Sequence, residues 1–171
     1  MPNIEIELNS VDFVTIGTIG PKGQRMFYLQ AGQDARLVSM VIEKEQSWAL
    51  SEALRELIDD LDKRYEAETE VDIQRLDMDL REPILPVFRV AQMGLGYDED
   101  LDRVVLVAQE LVPQAEEGDA EPIDPDEIKP GVVRMWCSRE QMRALSLHAM
   151  DTVKSGRPDP KQNGRLIYYW T

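Results

Sequence analysis

The sequence predicts an α+β fold in which a largely antiparallel sheet packs against two main helices. Short runs of β-branched and apolar residues, separated by turn residues, fill most of the chain before Glu43 and again between 88 and 138. After each region the spacing of apolar residues changes from two to three or four, which indicates a helix. The two helices begin alike, because KEQSWALSEA (44–53) and REQMRALSLH (139–148) share Glu, Gln, Ala, Leu and Ser at matching positions.

Three strands are predicted in the first half of the chain. The first runs from Phe13 to Gly20, and the second, RMFYLQA, runs from Arg25 to Ala31. Between them, GPKG (20–23) has proline and glycine where a type I turn favours them. The third strand lies within ARLVSMVIE (35–43), where apolar residues alternate. Together these strands form a β-meander.

The first helix is predicted from Lys44 to about Tyr65. Its apolar residues form one stripe, and charged residues cover the other side. The connector that follows, residues 66–87, contains two prolines and only partial alternation, so we expect an extended segment there. The apolar stripe of the helix consists of Leu50, Ala53, Leu54, Leu57, Ile58 and Leu61.

The second half of the chain repeats this order. A strand is predicted from about Phe88, a second in RVVLVAQELV (103–112) and a third in VVRMWCS (132–138). The segment 113–130 is rich in acids and proline and too poor in apolar residues to fold by itself. We therefore expect a solvated acidic loop between the second and third of these strands.

The start of the second helix is the clearest local signal in the chain. Ser138 and Gln141, three residues apart, match the capping box, in which each side chain accepts a backbone N–H of the other residue. Ser155 and Gly156, followed by Pro158, predict the end of this helix. The predicted buried stripe consists of Met142, Leu145, Ala149 and Val153.

The repeated order predicts an internal duplication of a βββα unit. The two copies are residues 13–63 and 88–154, and the matched decapeptides lie at the same strand-to-helix junction in each copy. We expect the copies to superpose about an approximate two-fold axis. Both belong to a single domain that comprises residues 1–171.

Composition excludes several classes of protein. The chain has 171 residues, with 33 acidic residues against 19 Lys and Arg, and a formal net charge of −14. Nucleic acid and anionic membranes are bound by clustered cations, so we expect neither as a partner. The sequence has no apolar run of the roughly 18 residues that a membrane helix needs, and no signal-peptide pattern. With one cysteine, a disulfide framework is excluded, and we expect a cytoplasmic protein.

Several segments together resemble an uncharacterised family that is common in actinobacteria and is designated only as a domain of unknown function. They are DFVTIGTIGPKGQRMFYLQA (12–31), VSMVIEKEQ (38–46), FRVAQM (88–93), VAQEL (107–111), and GRP with QNG (156–164). Members of that family usually carry a zinc-ribbon-like CPxC…C insert between GRP and QNG. Here GRPDPKQNG closes the gap without a cysteine. The resemblance therefore implies a shared fold without the family's metal site, and it implies no reaction.

The residue types for metal or nucleophile chemistry are scarce. His148 is the single histidine, and Cys137 lies on another predicted element, so a zinc site lacks ligands. We expect His148 at the boundary between core and solvent, and Cys137 as a buried structural thiol. We expect no cofactor, and a fold that forms without metal.

Polar residues near strand ends are the candidates for binding. TIGPKGQR (18–25) has the glycines and cations of a phosphate loop, but it joins a strand to a strand, so a hairpin turn is favoured. Residues 43–46 mix both charges, as helix starts commonly do, and the same residues could serve a binding site. The binding candidates are Arg25, Gln30, Glu43, Lys44, Gln46, Arg157, Gln162 and Asn163.

Two functions remain open. The preferred one is a protein-interaction or regulatory module without catalytic activity, because no catalytic set is recognisable. The alternative is an enzyme or a binder of a small molecule, such as a phosphate-containing ligand, with a polar site around Arg25, Glu43, Lys44 and Arg157; it requires these side chains to converge in one pocket. The aromatic segment LIYYW (166–170) predicts a strand that docks on the protein's own sheet or across a homodimer interface.

Overall fold

A computed structural model of the protein describes residues 4–21, 23–72, 76–112 and 129–155. These residues form strands β1–β4, helix α1, strands β5–β7 and helix α2, in chain order. The helices are α1 (Lys44–Arg64) and α2 (Arg139–Ser155). The strands are β1 (Glu5–Leu8), β2 (Phe13–Ile19), β3 (Met26–Gln33), β4 (Arg36–Ile42), β5 (Pro86–Asp98), β6 (Arg103–Glu110) and β7 (Val132–Cys137).

The strands form one sheet in the order β1-β7-β6-β5-β4-β3-β2. β2, β3 and β4 are antiparallel neighbours, and so are β5, β6 and β7. This largely antiparallel sheet with two helices confirms the predicted α+β class. Two pairs are parallel, β4 with β5 and β1 with β7, and the sequence predicted neither these pairs nor β1 itself.

The sheet curls until its two ends meet. The N–H of Val11 donates to the carbonyl of Trp136 on β7 (3.1 Å), and the N–H of Asp12 donates to the carbonyl of Gly32 on β3 (2.7 Å). In a flat sheet these two carbonyls would be about 19 Å apart, because four strand spacings separate β7 from β3. Two adjacent amides instead hold them within about 10 Å of each other. Residues 5–19 therefore bridge the ends of the sheet.

The two helices pack against each other in opposite directions. Ser51 Oγ donates to the carbonyl of Ser146 (2.6 Å), and Ser146 Oγ donates to the carbonyl of Ser51 (2.8 Å). Further along, Arg143 on α2 pairs with Asp59 on α1 (2.7 Å). Because Ser51 and Ser146 hold matching places in the two decapeptides, the recurring sequence lies at the centre of the helix pair. The core cluster includes Leu54, Ile58, Met142 and Leu145 from the helices and Leu29, Met40, Leu106 and Met135 from the sheet.

In both helices the third residue is a glutamine whose side chain caps the backbone N–H of the N-cap residue. The predicted capping box is present at α2, where Ser138 N–H donates to Gln141 Oε1 (2.8 Å) and Gln141 N–H donates to Ser138 Oγ (3.0 Å). At α1, Glu43 N–H donates in the same way to Gln46 Oε1 (2.7 Å). The second cap was not predicted, because Glu43 is not among the residues that usually occupy the N-cap position.

The connector between α1 and β5 has no helix or strand among its described residues, and the predicted connector (66–87) ran two residues into β5. It packs on β2 and β3 through Gln30, whose side chain accepts from Arg81 N–H (2.7 Å) and donates to Arg81 C=O (2.9 Å). A Cβ on Gly17 would lie 2.5 Å from Leu80 Cγ, so the connector packs this closely only because position 17 is glycine.

Three predicted structural features fall outside the described residues. They are most of the acidic loop (113–128), the glycine and proline signals after Ser155, and the aromatic segment 166–170. Within the described part of the chain, neither helix is long and apolar enough to cross a membrane.

Candidate functional site

A pocket of about 200 Å³ opens where three parts of the fold meet. The antiparallel pair Phe27–Ile42 brings the start of β3, and with it Arg25, beside the junction of β4 and α1. The parallel pair Val41–Arg89 brings Arg89 of β5 to the other side of that junction. The described lining consists of Gly23, Arg25, Met26, Phe27, Ile42, Glu43, Lys44 and Arg89.

We call this the cationic pocket, because its described lining holds Arg25, Lys44 and Arg89 but one carboxylate, Glu43. Glu43 Oε1 lies 2.5 Å from Arg89 Nη1, and both side chains are exposed. An exposed ion pair of this kind stabilises a fold by about 1 kcal/mol or less. The pocket therefore combines a net positive lining with charged hydrogen-bond donors, which suits an anion with oxygen acceptors.

Three predicted binding residues thus converge, and two others lie apart from the pocket. Gln30 is 0% exposed and bonds to Arg81 and to Ser39 Oγ (3.0 Å), so its side chain ties the connector to the sheet. Gln46 faces β5, where its Nε2 donates to the carbonyls of Val90 (3.0 Å) and Ala91 (3.2 Å).

Gln46 lines a second cavity, of about 370 Å³, between α1 and β5. We call it the apolar groove, because most of its lining is alanine, leucine, methionine or glycine. Its lining consists of Gln46, Ala49, Leu50, Ala53, Ala91, Gln92, Met93, Gly94 and Leu95.

Sequence reasoning missed Arg89. Arg89 lies 46 residues from Glu43, and the parallel pairing that joins them gives no signal in a single sequence. The remaining candidates, Arg157, Gln162 and Asn163, lie outside the described residues.

A second polar cluster lies at the β5–β6 turn and the start of α2. Asp102 accepts from Tyr97 Oη (2.7 Å) and lies 3.1 Å from Arg139 Nε. The hydrogen bond from Tyr97, together with Arg139, lowers the pKa of the Asp102 carboxyl, and burial raises the pKa of the Tyr97 hydroxyl. This cluster pairs the Asp102 carboxylate with the Arg139 guanidinium, whereas the described lining of the cationic pocket holds three cations and one carboxylate.

The structure places His148 and Cys137 as predicted. His148 is half-buried on α2, and Cys137 is 0% exposed at the end of β7. Burial raises the pKa of the Cys137 thiol, which opposes formation of a nucleophilic thiolate. Across the described ranges, His, Cys, Asp and Glu form no group of three or more that could hold a metal ion.

Comparison with known protein families matches residues 6–164 to a family described as "Protein of unknown function (DUF3090)". No curated protein and no solved structure matches the chain. The match agrees with the predicted resemblance to an uncharacterised family.

Proposed function

We propose that this chain, which belongs to the DUF3090 family of proteins of unknown function, is a binding module that recognises an anionic group in the cationic pocket. Convergence of cations carries the proposal: Arg25, Lys44 and Arg89 line one concave pocket in a chain whose formal net charge is −14. The fold brings these like charges together, although their mutual repulsion opposes it.

The chemistry of the pocket favours binding over catalysis. A general base needs a carboxylate or imidazole with a pKa near the working pH. Glu43 is the one carboxylate of the described lining, and it is ion-paired with Arg89 at the N-cap of α1. The described lining also has no Ser, Thr, Cys or His to act as a nucleophile. These features support a non-catalytic module that holds phosphate or carboxylate.

Titration with inorganic phosphate and with acetate, followed by ¹⁵N–¹H NMR, tests the proposal. We expect the largest shifts at residues 23–27, 43–44 and 89. Arg25→Gln, Lys44→Gln and Arg89→Gln should each raise Kd about tenfold or more, because a charged hydrogen bond contributes roughly 1.5–3 kcal/mol.

Arg55→Gln is the matched control. Arg55 is an exposed cation on α1 that pairs with Glu52, away from the described lining of the pocket. It should leave Kd unchanged. If the three pocket variants bind phosphate and acetate as tightly as this control does, the cationic pocket is not an anion site.

We further propose that the module acts on a protein partner rather than on nucleic acid, which the net charge disfavours. The aromatic segment 166–170 supports a contact with a second copy, because soluble proteins limit exposed apolar patches. A chain that ends at residue 164 keeps the whole region of the family match. By light scattering, we expect the truncated chain to have the mass of a monomer and the full chain to have the mass of a dimer. If both chains have the same oligomeric state, the proposed contact is wrong.

A further inference from the structure

One edge of β5 lacks a strand partner over much of its length. β6 pairs with β5 from Val90 to Asp98, whereas β4 pairs with it only at Pro86 and Arg89. Beyond Arg89, no described strand bonds to the edge that faces away from β6. Backbone N–H and C=O groups on such an edge are a template for an added strand.

The apolar groove lies along this open edge. The groove lies on the α1 side of β5. There Gln46 Nε2 donates to Val90 C=O, and to Ala91 C=O where the β5–β6 register shifts. The carbonyl of Arg89 accepts instead from Leu111 N–H, on the β6 side. The helix presents two small, exposed residues here, Ala49 and Ala53. The space between α1 and the strand edge therefore has one apolar wall and one wall of strand-edge backbone groups. Gln46 occupies the carbonyls of Val90 and Ala91, and no described strand pairs with this edge at the residues that follow.

The cationic pocket lies at one end of the groove. Arg89 lines the pocket and Ala91 lines the groove, and two residues of a strand span about 6.6 Å. Gln46, whose Nε2 donates to Ala91 C=O, lines the end of the groove nearer the pocket. On its far side the pocket is bounded by the β2–β3 hairpin, which contributes Gly23 and Arg25.

From this arrangement we infer that the groove and the pocket together bind the carboxyl terminus of an extended, apolar segment of a partner protein. The inference rests on the proposed function and names the anion as a terminal carboxylate. The partner's backbone adds to the open edge of β5, and its terminal carboxylate meets Arg89, Lys44 and Arg25. Both are known modes of peptide recognition.

The geometry sets the direction and length of the bound segment. Because the pocket adjoins the start of the groove at Arg89, a segment that ends there runs antiparallel to β5. The groove is lined by five strand residues, from Ala91 to Leu95, so about four or five partner residues fill it. Their side chains alternate, so every second one packs between β5 and the small residues of α1.

An extended peptide fits the groove and the pocket better than an amphiphile with an alkyl chain does. An alkyl chain would fill the apolar wall but would leave the N–H and C=O groups of the strand edge without partners. An extended peptide satisfies those groups and also supplies one negative charge at its end, which complements the cationic lining.

Peptide binding to the full chain tests the inference directly. The probe is a library of fluorescent hexapeptides whose last four positions are drawn from Val, Ile, Leu, Phe and Tyr, prepared both with a free carboxylate and with a C-terminal amide. We expect free-acid members to bind, and their amides to bind at least tenfold more weakly. Arg89→Gln should remove the difference between acid and amide.

Variants of the groove separate this inference from the proposed function. Ala53→Glu and Ala49→Glu place a charge in the groove at exposed helix positions, and both should weaken peptide binding at least tenfold. Ala53→Glu should leave phosphate binding intact, because Ala53 lies nine residues from Lys44, about 13 Å along the helix, beyond the Debye length of about 8 Å. Leu147→Glu is the control, because Leu147 is exposed on α2 outside the described lining of both cavities and should not change peptide affinity.

Three results would overturn the inference. One is that acids and amides bind equally. Another is that no peptide binds while phosphate still binds, which would leave the proposed anion-binding function in place. If neither peptide nor phosphate binds, both the inference and the proposed function are wrong. The third is a chain ending at residue 164 that binds the peptides at least tenfold more tightly than the full chain, which assigns the groove to this protein's own residues 165–171.

Discussion

At the scale of single residues, the reactivity of the Cys137 thiol measures how well the core excludes solvent. It is 0% exposed, and burial raises the pKa of its thiol. Because thiol reagents attack an accessible thiolate, we expect less than about one-hundredth of the reaction rate of a free thiol in the native protein, and full reaction in denaturant. A rate in native buffer that matches the denatured rate would show that the end of β7 is open.

His148 gives a second residue-scale prediction, concerning pH. Burial lowers the pKa of its imidazole, because desolvation disfavours the charged form. The unfolded state then binds the proton more readily, so His148 contributes stability that is complete above the unfolded pKa of about 6.5 and is lost as the pH falls through the folded pKa.

As the single histidine of the chain, His148 can be titrated without ambiguity by NMR. We expect a midpoint below 6.5, and a midpoint above that value would contradict the burial seen on α2. Denaturation of His148→Gln is the complementary measurement, because its stability should fall less between pH 7 and pH 5 than that of the wild type.

At the scale of elements, the two helix starts have the same contacts. Gln46 and Gln141 each accept from the N-cap N–H, and each donates its Nε2 to a carbonyl of another segment, at Val90 and Val11 respectively. Each helix also follows the third strand of an antiparallel meander. These features support our proposal that residues 13–63 and 88–154 are two copies of one βββα unit.

The proposal predicts that the two glutamines have similar energetic roles. Gln46→Ala and Gln141→Ala should each lower the free energy of unfolding by roughly 1–3 kcal/mol, because each change removes a cap and leaves a carbonyl without its partner. In thermal denaturation each should lower Tm by several degrees. Gln24→Ala, at an exposed turn position, is the control. If one of the two glutamine variants is destabilised and the other is as stable as the control, the two glutamines do not have similar roles.

Local signals predicted the elements well, and long-range pairing escaped them. The helix bounds followed from the apolar spacing after Lys44 and from the Ser138–Gln141 cap, because both are set by neighbouring residues. β1 was missed because four residues in parallel contact with a distant strand carry little local pattern. For the same reason the site was predicted only in part: Arg25, Glu43 and Lys44 flank turns and junctions, whereas Arg89 joins them through the parallel β4–β5 pair.

At the scale of the whole molecule, we predict that the protein folds without metal. A structural zinc site needs about four thiolate or imidazole ligands, and the chain has one cysteine and one histidine. Elemental analysis should find less than about 0.1 zinc per chain, and EDTA should leave the circular dichroism spectrum and Tm unchanged. Stoichiometric zinc, or unfolding in EDTA, would show that this reasoning is wrong.

The bridge that residues 5–19 make between the ends of the sheet has a consequence for synthesis on the ribosome. Glu7 accepts from Trp136 Nε1 across 129 residues of sequence (3.0 Å). At about 5–20 residues per second, Glu7 is translated roughly 6 to 26 s before Trp136. During this interval β1 and β7 cannot pair, so β1 waits longer for its neighbour than strands that pair within one meander do.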